Sequence, residues 1–144
     1  MDDRSDPFQL HRFVDAQQPT YQTALTELQA GAKQSHWMWF IFPQLAGLGR
    51  SPTAQFYGIR SLQEARAYLA HPILSARYRE AIQALRHWSG TKTAAEILGD
   101  VDAMKLKSSL TLFENASGDP LFAETLQDFF GEPDRATLHI LKRS

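Results

Sequence analysis

The sequence predicts a mainly α fold, a compact multihelical single domain over residues 1–144 with at most one or two short strands. Three observations predict it. Apolar residues recur at helical spacing in most segments, residues that cap helices come before those segments, and glycines follow several of them. Because a chain of 144 residues suits one domain and no linker or internal repeat divides it, we expect one hydrophobic core.

Cap signals divide the first half of the chain into four predicted helices. Asp6 before Pro7, Ser51 before Pro52, and Ser61 three residues before Glu64 each mark a helix start. The predicted helices cover residues 7–17, 21–30, 53–59 and 62–69. An apolar segment, His36–Gln44, and a glycine loop lie between the second and the third.

The second half is predicted to be helical almost throughout. The most regular helix covers residues 72–89, and Thr93 with Glu96 forms a capping box for a short helix that Gly99 ends. Further helices are predicted over residues 100–115 and 120–130. Residues 136–141, which follow the potential cap Asp134, fit either a short helix or a strand.

The helix over residues 100–115 has apolar side chains on two sides. One side has Val101, Met104 and Leu112, and the other has Leu106, Leu110 and Phe113. A helix of this kind is expected to be central and buried on both sides. Lys105 and Ser109 lie between the two stripes, one turn apart, and are therefore expected close to the core.

Composition and charge exclude several classes of function. With no cysteine, the chain has no disulfide, thiolate nucleophile or cysteine zinc site. A net charge of -1 and no Lys/Arg run argue against a nucleic-acid partner. The longest apolar run, Trp37–Phe42, is too short for a bilayer, and the acidic N-terminus is unlike a signal peptide, so no membrane partner and a cytoplasmic location are expected. The oligomeric state is left open.

The segment His36–Gln44 (H-W-M-W-F-I-F-P-Q) is the most informative feature of the sequence. Six consecutive apolar residues predict a buried extended stretch, in which Trp37 and Trp39 pack in the core. Alternatively, the two tryptophans stack on a planar ligand. The following loop allows that reading, since Gly47 and Gly49 permit close backbone approach and Ser51 begins a helix whose free N–H groups can bind an anion.

The remaining polar candidates are a lysine with two serines. Lys105 is predicted to pair with Asp102 on its own helix, or else to bind a ligand phosphate with help from Ser108 and Ser109. The five histidines lack metal-site spacing, so no metal and no other cofactor is expected. No pair of carboxylates of the glycosidase type is visible in the sequence.

Four runs of the chain resemble the bacterial family catalogued as domain of unknown function 1810, sometimes labelled calpastatin. They are F-Q-L-H-R-F-V-D at residues 8–15, S-H-W-M-W-F-I-F-P-Q-L-A-G-L-G at 35–49, E-A-R-A-Y-L-A-H-P at 64–72 and M-K-L-K-S-S-L-T-L-F at 104–113. The calpastatin label has no support in the residues, because an inhibitor of that type would be disordered and poor in aromatic side chains.

The resemblance implies a distant relation to the YbiA-like (NADAR) superfamily, which is helical and includes N-glycosidases acting on ADP-ribose or riboflavin-pathway intermediates. Residues 51–57 resemble the E-H-x-F-Q motif of that superfamily, and Met104 and Phe113 resemble a later one. Gln55 stands where the motif has a glutamate. An amide cannot act as a general base, so another carboxylate, for which Glu64 is the candidate, would have to supply the chemistry.

The resemblance and the residues together give a candidate site for a small-molecule ligand carrying a phosphate. His36, Glu64 and Gln55 are the catalytic candidates, Gln55 as the residue that orients the sugar. The ligand-binding candidates are Trp37, Trp39, Gln44, Gly47, Gly49, Ser51, Tyr57, Lys105, Ser108 and Ser109. Three functions fit these residues: an N-glycosidase, a non-catalytic module that binds a nucleotide-like metabolite, and a protein-interaction domain that uses an exposed aromatic segment.

Overall fold

A computed structural model describes residues 6–143, and these residues form ten helices without a named strand. The helices are α1 (His11–Gln17), α2 (Tyr21–Gln29), α3 (Met38–Ile41), α4 (Pro52–Tyr57), α5 (Leu62–Ala70), α6 (Pro72–Arg86), α7 (Ala94–Leu98), α8 (Asp100–Ser117), α9 (Pro120–Phe129) and α10 (Arg135–Lys142). The predicted mainly α fold class is therefore confirmed. None of the helices within residues 6–143 has the length and apolar character needed to cross a membrane.

The helices begin where their side-chain caps lie. Ser51 accepts a hydrogen bond from the Ala54 N–H, and Thr93 and Glu96 form the complete reciprocal capping box. Asp134 caps α10 by accepting from the Thr137 N–H, so the ambiguous segment near the C-terminus is a helix. These caps act locally, satisfying backbone N–H groups that the first helical turn leaves free, and this is why the sequence predicts them well.

Helix α8 is the centre of the fold and packs against α5, α7, α9 and α10. Its predicted second stripe is right, because Leu106, Leu110 and Phe113 are fully buried. The first stripe is wrong at its start, since Val101 and Met104 are 71% and 53% exposed. They lie in the first two turns of α8, so the helix is buried on both sides only in its middle and C-terminal part.

The aromatic segment is not extended as the sequence predicts. It forms the helical turn α3, in which the N–H groups of Ile41 and Phe42 donate to the carbonyls of Trp37 and Met38. This turn buries Trp37, Met38, Ile41 and Phe42 against the core and leaves the ring of Trp39 half-buried. The only β pairing in the described residues is one parallel bridge between Leu45 and Ile59, which joins the segment after α3 to the segment between α4 and α5.

Candidate functional site

A cleft of about 350 Å³ lies where the turn before α1 meets the end of α4 and the start of α5. We call it the Glu64 cleft, and its lining residues are Pro7, Phe8, Gln9, Arg12, Phe56, Arg60, Ser61 and Glu64. The lining combines two phenyl rings, two guanidinium groups and one carboxylate. Small-molecule sites typically have mostly apolar walls with a few fixed polar groups, and this cleft is more polar than that, since five of its eight lining residues are polar or charged.

A buried ion pair forms one wall of the cleft. An Arg12 nitrogen donates to Glu64 Oε2 over 2.6 Å, and the two side chains are 9% and 4% exposed. The other carboxylate oxygen, Oε1, accepts from the Arg60 backbone N–H at 3.2 Å. The Glu64 side chain therefore accepts from the backbone N–H of Arg60 rather than from that of Ser61. Only half of the predicted capping box is present, the hydrogen bond from the Glu64 N–H to Ser61 Oγ.

Arg12 holds three segments of the chain together. Besides Glu64, its guanidinium donates to the carbonyls of Phe8 and Gln9 before α1 and to those of Phe56 and Gly58 at the end of α4. A guanidinium has five N–H donors, and these five acceptors use all of them. Arg12 therefore shapes the cleft and has no donor left for a ligand.

The rim of the cleft includes a residue in an unusual backbone conformation. Gln9 has φ +54°, the only positive φ of a non-glycine residue in residues 6–143. A residue in this left-handed conformation cannot be part of a right-handed helix. The first helix therefore starts later than predicted, at His11 instead of residue 7. Strained residues of this kind occur often at functional sites, which makes the rim notable.

We expect Gln9→Gly to raise the free energy of unfolding by about 0.5–1 kcal/mol, because glycine adopts positive φ without a Cβ clash. Urea denaturation of the two proteins would measure the difference. Gln9→Ala is the matched control, since it removes the amide but keeps the Cβ, and it should give no gain. A loss of stability in Gln9→Gly would contradict the strain.

Sequence reasoning named Glu64 and missed Arg12, Gln9, Phe56 and Arg60. Arg12 and Glu64 are 52 positions apart, and no local spacing connects them. The one signal in the sequence was that both lie in runs that carry the family resemblance, residues 8–15 and 64–72.

A second group of predicted residues meets around the indole of Trp39, away from the Glu64 cleft lining. The Lys105 ammonium lies 3.9 Å from the centroid of a Trp39 ring, a cation–π contact. Gly49 lies against the outer edge of that indole and near the Gln44 amide, where an added Cβ would be 3.8 and 3.9 Å from them. Trp39, Gln44, Gly49 and Lys105 therefore share one region.

The charge of Lys105 is only partly balanced, because Lys105 shares one carboxylate with a second lysine. Its ammonium is 3.4 Å from Asp102, which pairs more closely with Lys33 at 2.8 Å. The pairing of Lys105 with Asp102 on its own helix is thus confirmed. The Lys33 ammonium in turn lies 5.1 Å from the centroid of a Trp37 ring. One carboxylate between two ammonium groups leaves a net charge of +1 in this region.

The other predicted site residues are dispersed. His36 and Gly47 are exposed, and Gln55 is exposed with its amide donating to the Arg50 carbonyl. Ser51 caps α4 and Tyr57 packs on the rings of Phe13, Phe40 and Phe56. Ser108 donates to Asp134, and Ser109 pairs with the Tyr78 hydroxyl, so neither serine assists Lys105.

Trp37 is a core residue that also anchors a hydrogen-bonded carboxylate. It is 1% exposed, and its indole N–H donates to Glu27 at 3.0 Å. Glu27 also accepts from the Ser35 hydroxyl and from the N–H groups of Gln34 and Ser35. Partial burial by itself raises the pKa of Glu27, but these four hydrogen bonds outweigh it and lower the pKa from 4.5 to about 2.

This shift predicts a loss of stability in acid. Because the pKa of Glu27 is lower in the folded chain than its ordinary value, its contribution is complete above about pH 4.5 and is lost as the pH falls towards about 2. We expect a contribution on the order of 1–2 kcal/mol, since Glu27 is partly screened by solvent. Urea denaturation from pH 6 to pH 2.5 would measure it. Glu27→Gln should flatten this part of the profile, whereas Glu124→Gln, with a 66% exposed side chain, should not.

Comparisons with known proteins match this chain to uncharacterised ones. The family model described as protein of unknown function (DUF1810) matches residues 7–141. A crystal structure of the conserved hypothetical protein Rv1873 from Mycobacterium tuberculosis is similar, with 46% sequence identity and a TM-score of 0.92, covering 95% of this chain and 99% of that one. No curated protein matches the chain.

Proposed function

Because the chain belongs to the family described as protein of unknown function (DUF1810), we propose its function from its own residues: it is a module that binds a small metabolite with a planar ring and an anionic group. The observation that supports this most is the Glu64 cleft. A phenyl ring that is 57% exposed, Phe56, and a guanidinium with no partner among the described residues, Arg60, line the same cavity of about 350 Å³. A nucleotide-like metabolite is one ligand of this kind.

Binding without turnover is consistent with the hydrogen bonds that the buried side chains of Arg12 and Glu64 already make. Arg12 has no free donor, and each oxygen of Glu64 already accepts a hydrogen bond. A general base must reach the proton that it removes, and moving Glu64 towards a ligand would break the contacts that hold three chain segments together. The amide of Gln55, the other catalytic candidate, is bonded to the backbone outside the cleft lining.

An N-glycosidase is the second candidate, and one observation favours it. Glu64 is the only carboxylate in the lining of the cleft. It is also the candidate to replace the glutamate of the YbiA-like motif, whose position is occupied by Gln55 in this chain. A fixed carboxylate could stabilise positive charge on a sugar ring without moving. The interaction domain has less support, because Trp37 is buried and the aromatic segment is not a continuous exposed surface.

The experiment is a ligand screen that measures binding, by melting temperature and NMR, and turnover, by released base. The protein is mixed with ADP-ribose, ADP-ribosylated substrates and early riboflavin-pathway intermediates; its melting temperature is measured, and the mixtures are analysed for released base. A ligand that raises the melting temperature and shifts the NMR signals of cleft residues, without product, supports the binding module. Base release above a protein-free blank supports the N-glycosidase instead. No response at the cleft by either readout would refute both.

A further inference from the structure

We propose that the ligand of the Glu64 cleft is a planar aromatic monocarboxylate rather than a phosphorylated nucleoside, an inference that rests on the proposed binding function. Its first ground is the net charge of the lining. The charged groups are Arg12, Arg60 and Glu64, and the buried pair of Arg12 with Glu64 is neutral as a whole. One positive charge, that of Arg60, remains for a ligand. It can balance a carboxylate but not a phosphate dianion.

The second ground is the geometry of the free donors. Arg60 is exposed and precedes Ser61, whose Oγ accepts from the Glu64 N–H and keeps its own O–H available as a donor. A guanidinium donates to both oxygens of a carboxylate in a planar, two-bond arrangement. Arg60 with the Ser61 hydroxyl therefore supplies donors for the two oxygens of one carboxylate.

The third ground is the ring surface. Phe56 packs edge-on against Tyr57, with ring centroids 4.8 Å apart and planes at 87°. This contact leaves the Phe56 side chain 57% exposed. Phe8 and Pro7 line the same cleft. A flat apolar ring can lie on these surfaces, and a volume of about 350 Å³ is at the small end of ligand sites, which favours one ring system over a dinucleotide.

The test is an NMR titration of the full chain with four probes: 2-naphthoate, its neutral analogue 2-naphthamide, AMP and inorganic phosphate. We expect 2-naphthoate to shift the backbone signals of Arg60 and Ser61 and to bind more tightly than 2-naphthamide and AMP. Arg60→Gln should weaken 2-naphthoate about tenfold and leave 2-naphthamide unchanged. Phe56→Ala should weaken both naphthalene compounds by about three- to tenfold.

Matched controls keep the result specific. Arg50→Gln removes another exposed arginine, which lies outside the cleft lining, and Ile73→Ala removes another exposed apolar side chain. Neither should change the binding of 2-naphthoate. Equal weakening by Arg50→Gln and Arg60→Gln would overturn the assignment of Arg60.

The outcomes separate this inference from the proposed function. If AMP or a metabolite of the screen shifts the cleft signals and 2-naphthoate does not, the ligand class is wrong while the binding function stands. If neither 2-naphthoate nor any metabolite shifts them, both fail. Tighter binding of AMP than of 2-naphthoate would likewise show that the site selects phosphate and would overturn the carboxylate.

Discussion

Glu64→Gln is expected to lower the free energy of unfolding by about 3–5 kcal/mol, because it leaves the Arg12 charge buried without a counter-charge. The side chains of Arg12 and Glu64 are 9% and 4% exposed, so water cannot replace the lost partner. The substitution keeps the shape of the side chain, and the loss therefore reports on charge rather than on packing. Urea denaturation at neutral pH would measure it.

Two further variants test the reason for that loss. The double variant Arg12→Met, Glu64→Gln removes both charges and should cost clearly less than the sum of Arg12→Met and Glu64→Gln measured singly, because the double variant leaves no unpaired ion. Arg135→Gln is the exposed control; Arg135 is 90% exposed in its pair with Glu132, and its loss should stay within about 0.5 kcal/mol. A cost below about 1 kcal/mol for Glu64→Gln would contradict a desolvated pair.

The parts of the fold that the sequence predicts are those that nearby residues determine. The helix starts at Ser51, Thr93 and Asp134 each depend on a side chain that accepts from the N–H three residues later. Such contacts can be read from spacing alone. The amphipathic pattern of residues 72–89 is local in the same sense, and α6 covers Pro72–Arg86.

Prediction fails where a segment has no polar face to set its period. The run Trp37–Phe42 is apolar throughout, so strand and helix fit it equally well, and the choice is made by what surrounds it. The helical turn α3 packs against α1, α4 and α6, which come from distant parts of the chain. The prediction for Val101 and Met104 is wrong for the opposite reason: their spacing is helical, but no element within residues 6–143 covers them at the start of α8.

The candidate site is predictable only in part. Trp39, Gln44, Gly49 and Lys105 lie close together, although Lys105 is 66 positions beyond Trp39, and each residue was named from its own local segment rather than from a pattern that links the two segments. The Glu64 cleft depends on the contact of Arg12 with Phe56, Gly58 and Glu64, which lie 44 to 52 positions later. The spacing of residues in a single sequence does not show which positions this far apart are in contact. The cleft can therefore be recognised from the fold but not from a sequence motif.

The second large effect is expected at Trp37, the first residue of the apolar run. Trp37→Ala should lower the free energy of unfolding by about 3–5 kcal/mol, since it empties the volume of a 1% exposed indole in the core. It also removes one of the four hydrogen bonds that keep Glu27 charged. Urea denaturation would give the total, and Trp37→Phe, which keeps most of the ring volume, would isolate the hydrogen bond at about 1 kcal/mol.

Trp39→Ala is the matched control, because it removes the same side chain two residues later in the same helical turn. The Trp39 ring is half-buried and contacts Lys105 and Gly49 at the surface, so its removal should cost less than half as much as that of Trp37. Equal losses at the two positions would mean that the turn α3 does not separate a core tryptophan from a surface one. Equal losses are also what an extended segment predicts, because successive residues of a strand point to opposite faces and residues two apart, such as the two tryptophans, share one face.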